Sequence, residues 1–292
     1  MTRFQEAVLQ WSGAGGGWRD LPWGRTRDPW AVLVSEVMLQ QTQVSRVVPR
    51  WHAFLSRFPD PATCAAAPVG DVIGLWVGLG YNRRAVQLHR AAADVVAHHG
   101  GRLPATRAEL QTLPGIGPYT ARAVLVFAFE QRAAVVDTNV ARVLARAVAG
   151  RKLAPVEAQA AADSLVPAGR SRTWTWNQAM LDLGAQVCTS TRPACDRCPL
   201  RATECAWARA GFPEPDPARG SAGVSGGQSP FPGSDRQGRG RLVKALQEGP
   251  IGAAHWAEVA GWPGEAARAT RAAASLVTDG LAVRIGDELS LP

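Results

Sequence analysis

The sequence lacks several features that would mark a membrane, secreted or strand-rich protein. The 292-residue chain has no run of about 18 apolar residues, so no membrane-spanning helix is predicted. The N-terminal segment MTRFQEAVLQWSG lacks a charged region followed by an apolar one, so we expect no secretion signal and a cytoplasmic, nucleoid-associated protein. The alternation typical of strands is absent up to about residue 206. These absences predict an all-α structure for the first two hundred residues.

Lysine is scarce, whereas arginine is abundant. Only Lys152 and Lys244 occur, although Lys and Arg together number 32 against 24 acidic residues, a formal charge of +8. Arginine presents a planar, permanently charged fork that suits phosphate groups. A high-GC coding bias explains the choice of Arg over Lys, but it does not explain the excess of cations. The charge therefore favours a polyanionic partner such as nucleic acid.

The composition changes near the end of the predicted helical region. From Ala208 to Ser234, 15 of 27 residues are Gly, Pro or Ser, which predicts a flexible linker. Three helical patterns follow, and then the alternating segment LAVRIGDELSL around a Gly-Asp turn. This order predicts a small winged-helix module. Arg268 and Arg271 on its third helix fit either a DNA-reading helix or a solvated polar face.

Four of the five cysteines lie close together in the segment CTSTRPACDRCPLRATEC. Because we expect no secretion, such a cluster favours a metal centre over disulfides. Both tetrahedral zinc and an iron–sulfur cluster take four thiolates, and the spacing leaves both open. The candidate ligands are Cys188, Cys195, Cys198 and Cys205.

Two carboxylates stand at unusual places in helical patterns. Glu36 interrupts the apolar helix around LVSEVMLQQTQV; it either faces solvent or is buried, in which case desolvation favours its protonated form. Asp137 directly precedes a helix, where it is either a plain N-cap or an anion that nearby amides keep ionised. A protonated acid paired with an anion is what cleavage of a glycosidic bond needs.

The segment LPGIGPY predicts a tight turn between two helices. Gly115 and Gly117 permit sharp backbone turns and leave amide groups that are able to face a phosphate. An ordinary corner between two helices fits the same pattern.

Six segments in order resemble the helix-hairpin-helix DNA glycosylases, most closely the MutY-type adenine glycosylases, over about residues 4–206. They are SEVMLQQTQV, WVGLGYNRRAVQLHRAA, LPGIGPYTARAV, VVDTNVARVLAR, NQAMLDLGAQVC and the cysteine run. The resemblance implies a six-helix barrel over 21–131 and a helical domain over 1–20 and 132–206 that holds a [4Fe-4S] cluster on the four cysteines. A linker over 207–234 and a winged-helix-like domain over 235–292 complete the expected organisation.

The resemblance also implies roles for individual residues. Glu36 matches the acid that protonates adenine, Asp137 matches the aspartate that stabilises the oxocarbenium-like sugar, and Asn139 stands beside it. Tyr119 occupies the place of the nucleophilic lysine of endonuclease III enzymes, so we expect no lyase step. Residues expected to contact DNA or the flipped base are Arg19, Gln41, Tyr81, Gly115, Gly117 and Gln178. Of these, Gln41 and Tyr81 form the wedge pair, because they match residues that insert into the base stack next to the orphaned partner base. The arginines near this pair suit phosphate contacts better than a solvated face, namely Arg83, Arg84 and Arg90.

The resemblance has limits that bear on the substrate. Gly24, Asn82 and Thr138 replace residues usual in the family, and residues 207–292 do not resemble the NUDIX-like domain with which adenine glycosylases recognise 8-oxoguanine. We expect a monomeric, monofunctional glycosylase that acts on double-stranded DNA and removes adenine opposite 8-oxoguanine or guanine. The alternatives are a mismatch glycosylase for thymine or another lesion, and a non-catalytic iron–sulfur DNA-binding protein.

Overall fold

The computed structural model describes residues 1–13, 17–221 and 230–292. Its elements confirm the predicted all-α class of the first two hundred residues. Turns of 3-10 helix cover Pro22–Arg25, Cys195–Arg197 and Ala253–His255, and a π-helix over Leu144–Ala149 continues the ninth α-helix. The α-helices in chain order are α1 (Arg3–Trp11), α2 (Pro29–Leu39), α3 (Val44–Arg57), α4 (Pro61–Ala66), α5 (Val69–Trp76), α6 (Arg83–His99), α7 (Arg107–Leu110), α8 (Pro118–Phe127), α9 (Thr138–Val143), α10 (Pro155–Leu165), α11 (Arg170–Gln186), α12 (Ala206–Arg209), α13 (Asp235–Ala245), α14 (Trp256–Ala260) and α15 (Ala266–Thr278).

The described chain forms two compact units. The first takes in Met1–Pro29, Ala105–Arg107 and the chain from Gly117 to Ser221. The second takes in Trp30–Pro104, Ala108–Ile116 and the chain from residue 230 to the end. In this division α8 belongs to the first unit, and the C-terminal module belongs to the same unit as most of the predicted barrel.

The first unit takes in α8 because that helix is apolar on most of its surface. Seven of its ten residues are buried, and Phe127 packs edge-on against Trp174 of α11, with ring centroids 6.1 Å apart. The other long helix of this unit, α11, also packs on α1 and α9. The unit therefore joins segments from the beginning and the middle of the chain.

The second unit is built around α2. Every residue from Trp30 to Met38 is buried, so this helix has no solvent face. Two indole hydrogen bonds join the N-terminal end of α2 to α3 and the residue after it. Trp30 Nε1 donates to the Phe58 carbonyl at 2.9 Å, and Trp51 Nε1 donates to the Ala31 carbonyl at 2.9 Å. Burial of such large rings stabilises this core.

The C-terminal module is winged-helix-like, as predicted. It contains α13 to α15 and an antiparallel sheet of β1 (Ile251–Gly252), β2 (Val283–Ile285) and β3 (Glu288–Ser290) in the order β1-β3-β2. Leu289 of the central strand is fully buried, but Val283 and Ile285 are 37% and 67% exposed. Their strand is at the edge of the small sheet, so the apolar alternation read from the sequence does not mark a buried face there.

The module packs directly on the predicted barrel. The Gly70 amide in α5 donates to the Pro292 carbonyl at 3.1 Å, and a Cβ on Gly70 would lie only 2.9 Å from that oxygen. The close approach therefore requires glycine at this position. Arg83 of α6 forms an ion pair with Asp279, which follows α15, at 3.8 Å. Within the second unit, the module is thus held to α5 and α6.

Much of the predicted linker over 207–234 has defined partners. Asp216 accepts a hydrogen bond from Arg146 Nε at 2.9 Å, and the Ser221 hydroxyl accepts one from the Leu153 amide at 3.1 Å. The Gly, Pro and Ser content did not predict these contacts, because each partner is about 70 residues away in sequence. The stretch 222–229 of the predicted linker lies outside the described residues.

No helix within the described ranges is long and apolar enough to cross a membrane.

Candidate active site and DNA-contacting surfaces

Glu36 lies inside the apolar helix α2 and is only 6% exposed. The sequence left open whether this carboxyl faces solvent, and the structure buries it because all sides of α2 are covered. Burial disfavours a charged carboxylate relative to the neutral acid. Glu36 therefore has the environment that a proton donor needs.

Asp137 is the N-cap of α9, and both of its carboxylate oxygens accept hydrogen bonds. Oδ1 accepts the Val140 amide at 2.8 Å, and Oδ2 accepts the side-chain amide of Asn139 at 2.7 Å. These bonds and the nearby Arg142 favour the anion, as the sequence predicts. Burial has the larger effect, however, and it raises the pKa of Asp137. The amides that the sequence predicts are present, but desolvation outweighs them.

Arg142, which the sequence analysis did not identify, joins Asn139 to the cysteine segment. Its Nη2 donates to Asn139 Oδ1 at 2.8 Å and to the Gly184 carbonyl at 2.7 Å, and its Nε donates to the Cys188 carbonyl at 2.5 Å. The side chain is 6% exposed. The only sequence signal is an arginine three residues after Asn139, which places both on one face of a helix.

Tyr119 lies at the start of α8, in the first unit with Asp137 and Asn139. Gly117 is the N-cap of this helix, with extended backbone, and a Cβ there would meet no atom within 4 Å. Gly115 lies in the second unit and has φ of +79°, with a would-be Cβ 2.8 Å from the Cβ of Gln87. Glycine is therefore required at 115 for conformation and for space, but space does not require it at 117.

Arg19 and Gln178 converge on a buried carboxylate in the first unit. Arg19 Nε lies 2.5 Å from Asp182 Oδ1, and Gln178 Nε2 donates to Asp182 Oδ2 at 2.9 Å. The Asp182 side chain is 1% exposed. Asp182 was not predicted as a site residue, although an aspartate inside the apolar segment NQAMLDLG indicates a buried charge with a partner. The buried Asp182 carboxylate thus orients both Arg19 and Gln178.

The wedge pair, Gln41 and Tyr81, lies in the second unit on strained backbone. Their φ angles are +55° and +49°, a region that non-glycine residues seldom occupy. Tyr81 is 41% exposed. Strained backbone of this kind persists only when surrounding contacts hold it in place.

Arg84 supplies those contacts. Its Nη1 donates to the carbonyls of Val37 and Gln40, each at 2.7 Å, and its Nη2 donates to the Gly80 carbonyl at 2.8 Å. Burial lowers the pKa of Arg84 to about 10, which still leaves it charged at neutral pH. The predicted phosphate contact is therefore corrected for this residue: its guanidinium is occupied by backbone carbonyls and ties the Gln41 and Tyr81 loops together.

The four clustered cysteines line one small cavity in the first unit. Arg146 Nη1 donates to Cys188 Sγ at 3.4 Å. Burial is the main cause that raises the pKa of Cys188 and of Cys195, and it raises that of Cys198 to about 11. Among the described residues no group of His, Cys, Asp and Glu side chains is arranged to hold a metal ion. The four thiols nevertheless share the lining of one cavity with Arg146.

Comparisons with known proteins agree with this arrangement. Residues 34–168 match the family described as "HhH-GPD superfamily base excision DNA repair protein". A solved thermostable thymine-DNA glycosylase superposes with a TM-score of 0.64 at 28% identity, covering 71% of this chain and 95% of that one. A trapped endonuclease III–DNA covalent intermediate has a TM-score of 0.61 at 23% identity, covering 73% of this chain and 100% of that one, and so supports the fold. The class is therefore that of the DNA N-glycosylases, enzymes that bind DNA.

Within that class, an adenine DNA glycosylase of Mycobacterium tuberculosis (strain CDC 1551 / Oshkosh) is 44% identical over 278 residues. The match covers 92% of this chain and 87% of that protein. The chain belongs to the adenine DNA glycosylase family of helix-hairpin-helix enzymes. The similarity extends beyond residue 206, so this relative shares much of the C-terminal region as well.

Proposed function

We propose that the chain is a monofunctional DNA glycosylase that removes adenine mispaired with 8-oxoguanine or guanine. The observation that carries the proposal is a difference between its two carboxyl groups. Glu36 is buried in an apolar helix, whereas Asp137, although burial raises its pKa, accepts two hydrogen bonds that favour its anion. An acid and an anion of this kind suit cleavage of an N-glycosidic bond.

In the proposed reaction the adenine nucleotide is flipped out of the duplex, because its glycosidic bond is unreachable inside the stack. Glu36 donates its proton to the adenine ring, which turns the base into a neutral leaving group. Asp137 stabilises the positive charge that develops on the sugar, and low local polarity strengthens that attraction. Asn139 holds Asp137 Oδ2 in place.

Water completes the proposed reaction. Tyr119 stands where related lyases use a lysine, and a phenol cannot form a Schiff base with the sugar aldehyde. The abasic strand is therefore left intact. Arg19 and Gln178, oriented by Asp182, would contact the substrate, while Gln41 and Tyr81 would fill the gap left by the flipped base.

We also propose that Cys188, Cys195, Cys198 and Cys205 hold a [4Fe-4S] cluster, supported by the shared cavity and the donor set of four thiols. The cluster would fasten the segment from 188 to 205 to the helices around it. Arg142 and Arg146 already bond to this segment. Purified protein should be brown and absorb visible light, whereas a zinc protein would be colourless.

The proposed enzyme acts as a monomer on mismatched duplex DNA in the nucleoid. The direct test is single-turnover excision on duplexes with adenine opposite 8-oxoguanine, adenine opposite guanine and thymine opposite guanine, followed by alkali. We expect strand breaks only after alkali and only at adenine. Release of no base would contradict the proposal.

The second candidate is a thymine mismatch glycosylase. It is supported by the likeness to the thymine-DNA glycosylase structure and by Asn82, which replaces a tyrosine usual in the adenine enzymes. Asn82 Oδ1 is buried and accepts no hydrogen bond from the described residues. Release of thymine alone in the same assay would favour this candidate.

A further inference from the structure

A large groove lies between the loops that carry Gln41 and Tyr81 and the C-terminal module. Its volume is about 1100 Å³, and both of its walls belong to the second compact unit. The wedge pair and Gly115 line one side. Helix α13 and the C-terminal end of α15 line the other. The proposed reaction gives a role to Gln41 and Tyr81 on one wall, but it gives none to the opposite wall.

The groove is strongly cationic. Seven Arg and Lys side chains line it against two carboxylates, and both carboxylates are already paired. Asp235 bonds to Arg268 at 2.7 Å, and Asp279 bonds to Arg239 at 2.5 Å. Exposed cations stand on both walls: Arg46 on the barrel side, together with Arg83, which also pairs with Asp279, and Arg241 and Lys244 on α13. This charge is complementary to a phosphate backbone.

Exposed aromatic rings stand in the same groove. Tyr81 from the barrel side is 41% exposed and Phe231 from the module is 55% exposed. Exposed aromatic rings beside cations are the combination with which proteins hold unpaired nucleotides, because a base stacks on the ring while its phosphates contact the charges.

The third helix of the module is a poorer candidate for contact with DNA, although winged-helix proteins commonly use it in that way. Arg268 on α15 donates to Asp235 and to the Gly233 carbonyl, and its guanidinium stacks on Trp262 at 4.1 Å. It therefore serves to fold the module. Arg271 is exposed on α15 but does not line the groove.

We propose that this groove binds the DNA strand opposite the excised adenine, with the α13 cations on its phosphates and Phe231 stacked on an unpaired base. The assignment of the strand rests on the proposed function, because that function puts Gln41 and Tyr81 beside the partner base. The C-terminal module thereby takes part in holding the partner strand, through its first helix rather than its third.

The first test measures the salt dependence of DNA binding with matched charge variants. The probe is a duplex with a stable abasic-site analogue opposite guanine, titrated across about 50 to 200 mM salt. Lys244→Ala should flatten the slope of log affinity against log salt by about 0.9, and Arg271→Ala should leave it unchanged. An unchanged slope for Lys244→Ala, or a flattened one for Arg271→Ala instead, would overturn the proposal.

The second test asks whether Phe231 stacks on the partner strand. In the same duplex, 2-aminopurine replaces the partner base, and its fluorescence reports stacking. Phe231→Ala should weaken binding by about 5- to 100-fold and raise the fluorescence of the bound probe. Ile285→Ala, which truncates an exposed apolar side chain outside the groove, is the control. Equal behaviour of the two variants would refute the stacking role.

These tests are separable from the proposed function, since neither probe can be excised. Failure of adenine release by the unaltered protein would overturn the adenine glycosylase assignment and leave the binding slopes interpretable. Normal adenine release together with unaffected binding by Lys244→Ala and Phe231→Ala would overturn only the role of the groove.

Discussion

Replacement of Arg142 by lysine tests whether the active-site aspartate depends on a network that reaches the cysteine segment. Arg142 is buried and donates to Asn139 Oδ1, to the Gly184 carbonyl and to the Cys188 carbonyl. Lysine keeps the charge but replaces the planar five-donor fork with one ammonium. It cannot reach all of these acceptors, which diverge around the guanidinium.

The expected loss of stability follows from the hydrogen-bond acceptors that lysine would leave without a donor. One buried acceptor without a donor costs about 1 to 3 kcal/mol, so Arg142→Lys should lower the free energy of unfolding by that amount. Once Asn139 is released, Asp137 loses the donor to Oδ2. We therefore expect single-turnover excision to slow by about 10- to 100-fold, which corresponds to about 1.4 to 2.8 kcal/mol of transition-state stabilisation.

The matched control is Arg122→Lys in the same unit. Arg122 bonds to Asp163 at 2.9 Å, and the Asp163 side chain is 42% exposed. Because such pairs are worth about 1 kcal/mol or less, its unfolding energy should change little and its excision rate should not change. Urea denaturation and single-turnover kinetics measure both quantities. The reasoning is refuted if Arg142→Lys excises adenine as fast as Arg122→Lys does.

Three further predictions concern the reacting groups and the wedge. Asn139→Ala removes a hydrogen bond that lowers the pKa of Asp137, so the acidic limb of the excision-rate profile should move to higher pH; an unmoved limb would contradict this. Tyr119→Lys should allow borohydride to trap a covalent complex with DNA, which the unaltered protein should not form, and absence of the adduct would count against the assigned position. Arg84→Ala removes the hydrogen bonds to the Gln40 and Gly80 carbonyls, so it should loosen the loops that carry Gln41 and Tyr81 and slow excision. Arg102→Ala, at an exposed position, is the control, and equal rates for the two variants would show that Arg84 does not position the wedge pair.

Asp137 also makes the stability of the fold depend on pH. Burial raises the pKa of Asp137 above its unfolded value, so the folded state holds a proton that the unfolded state has lost. The stabilisation from this carboxyl is therefore fully present below the unfolded pKa. It is lost as pH rises through the window between the unfolded and folded values. Asp137 favours function at neutral pH at the expense of stability.

Local patterns in the sequence predicted the helices and the capping position of Asp137, because helix periodicity and N-cap chemistry act over a few residues. They did not decide the environment of Glu36. The same apolar spacing fits a helix with one solvent face and a helix covered on all sides, and only the surrounding helices distinguish the two.

The groups that orient the site were beyond the reach of local patterns. Asp182 meets Arg19 across 163 residues of sequence, and Arg142 meets Gly184 across 42. Such pairs depend on how α9 and α11 pack together with the N-terminal segment. The docking of the C-terminal module was hidden for the same reason, since nothing in the sequence around Gly70 indicates that Pro292 lies against it.

The central claim is that Glu36 is the acid that drives release of adenine. The most direct measurement is single-turnover excision of adenine opposite 8-oxoguanine by Glu36→Gln, with Glu258→Gln, an exposed carboxyl of the C-terminal module, as the control. Glutamine keeps the shape but cannot donate the proton, so the rate should fall by about 100- to 10,000-fold while Glu258→Gln is unaffected. Full excision by Glu36→Gln would contradict the account.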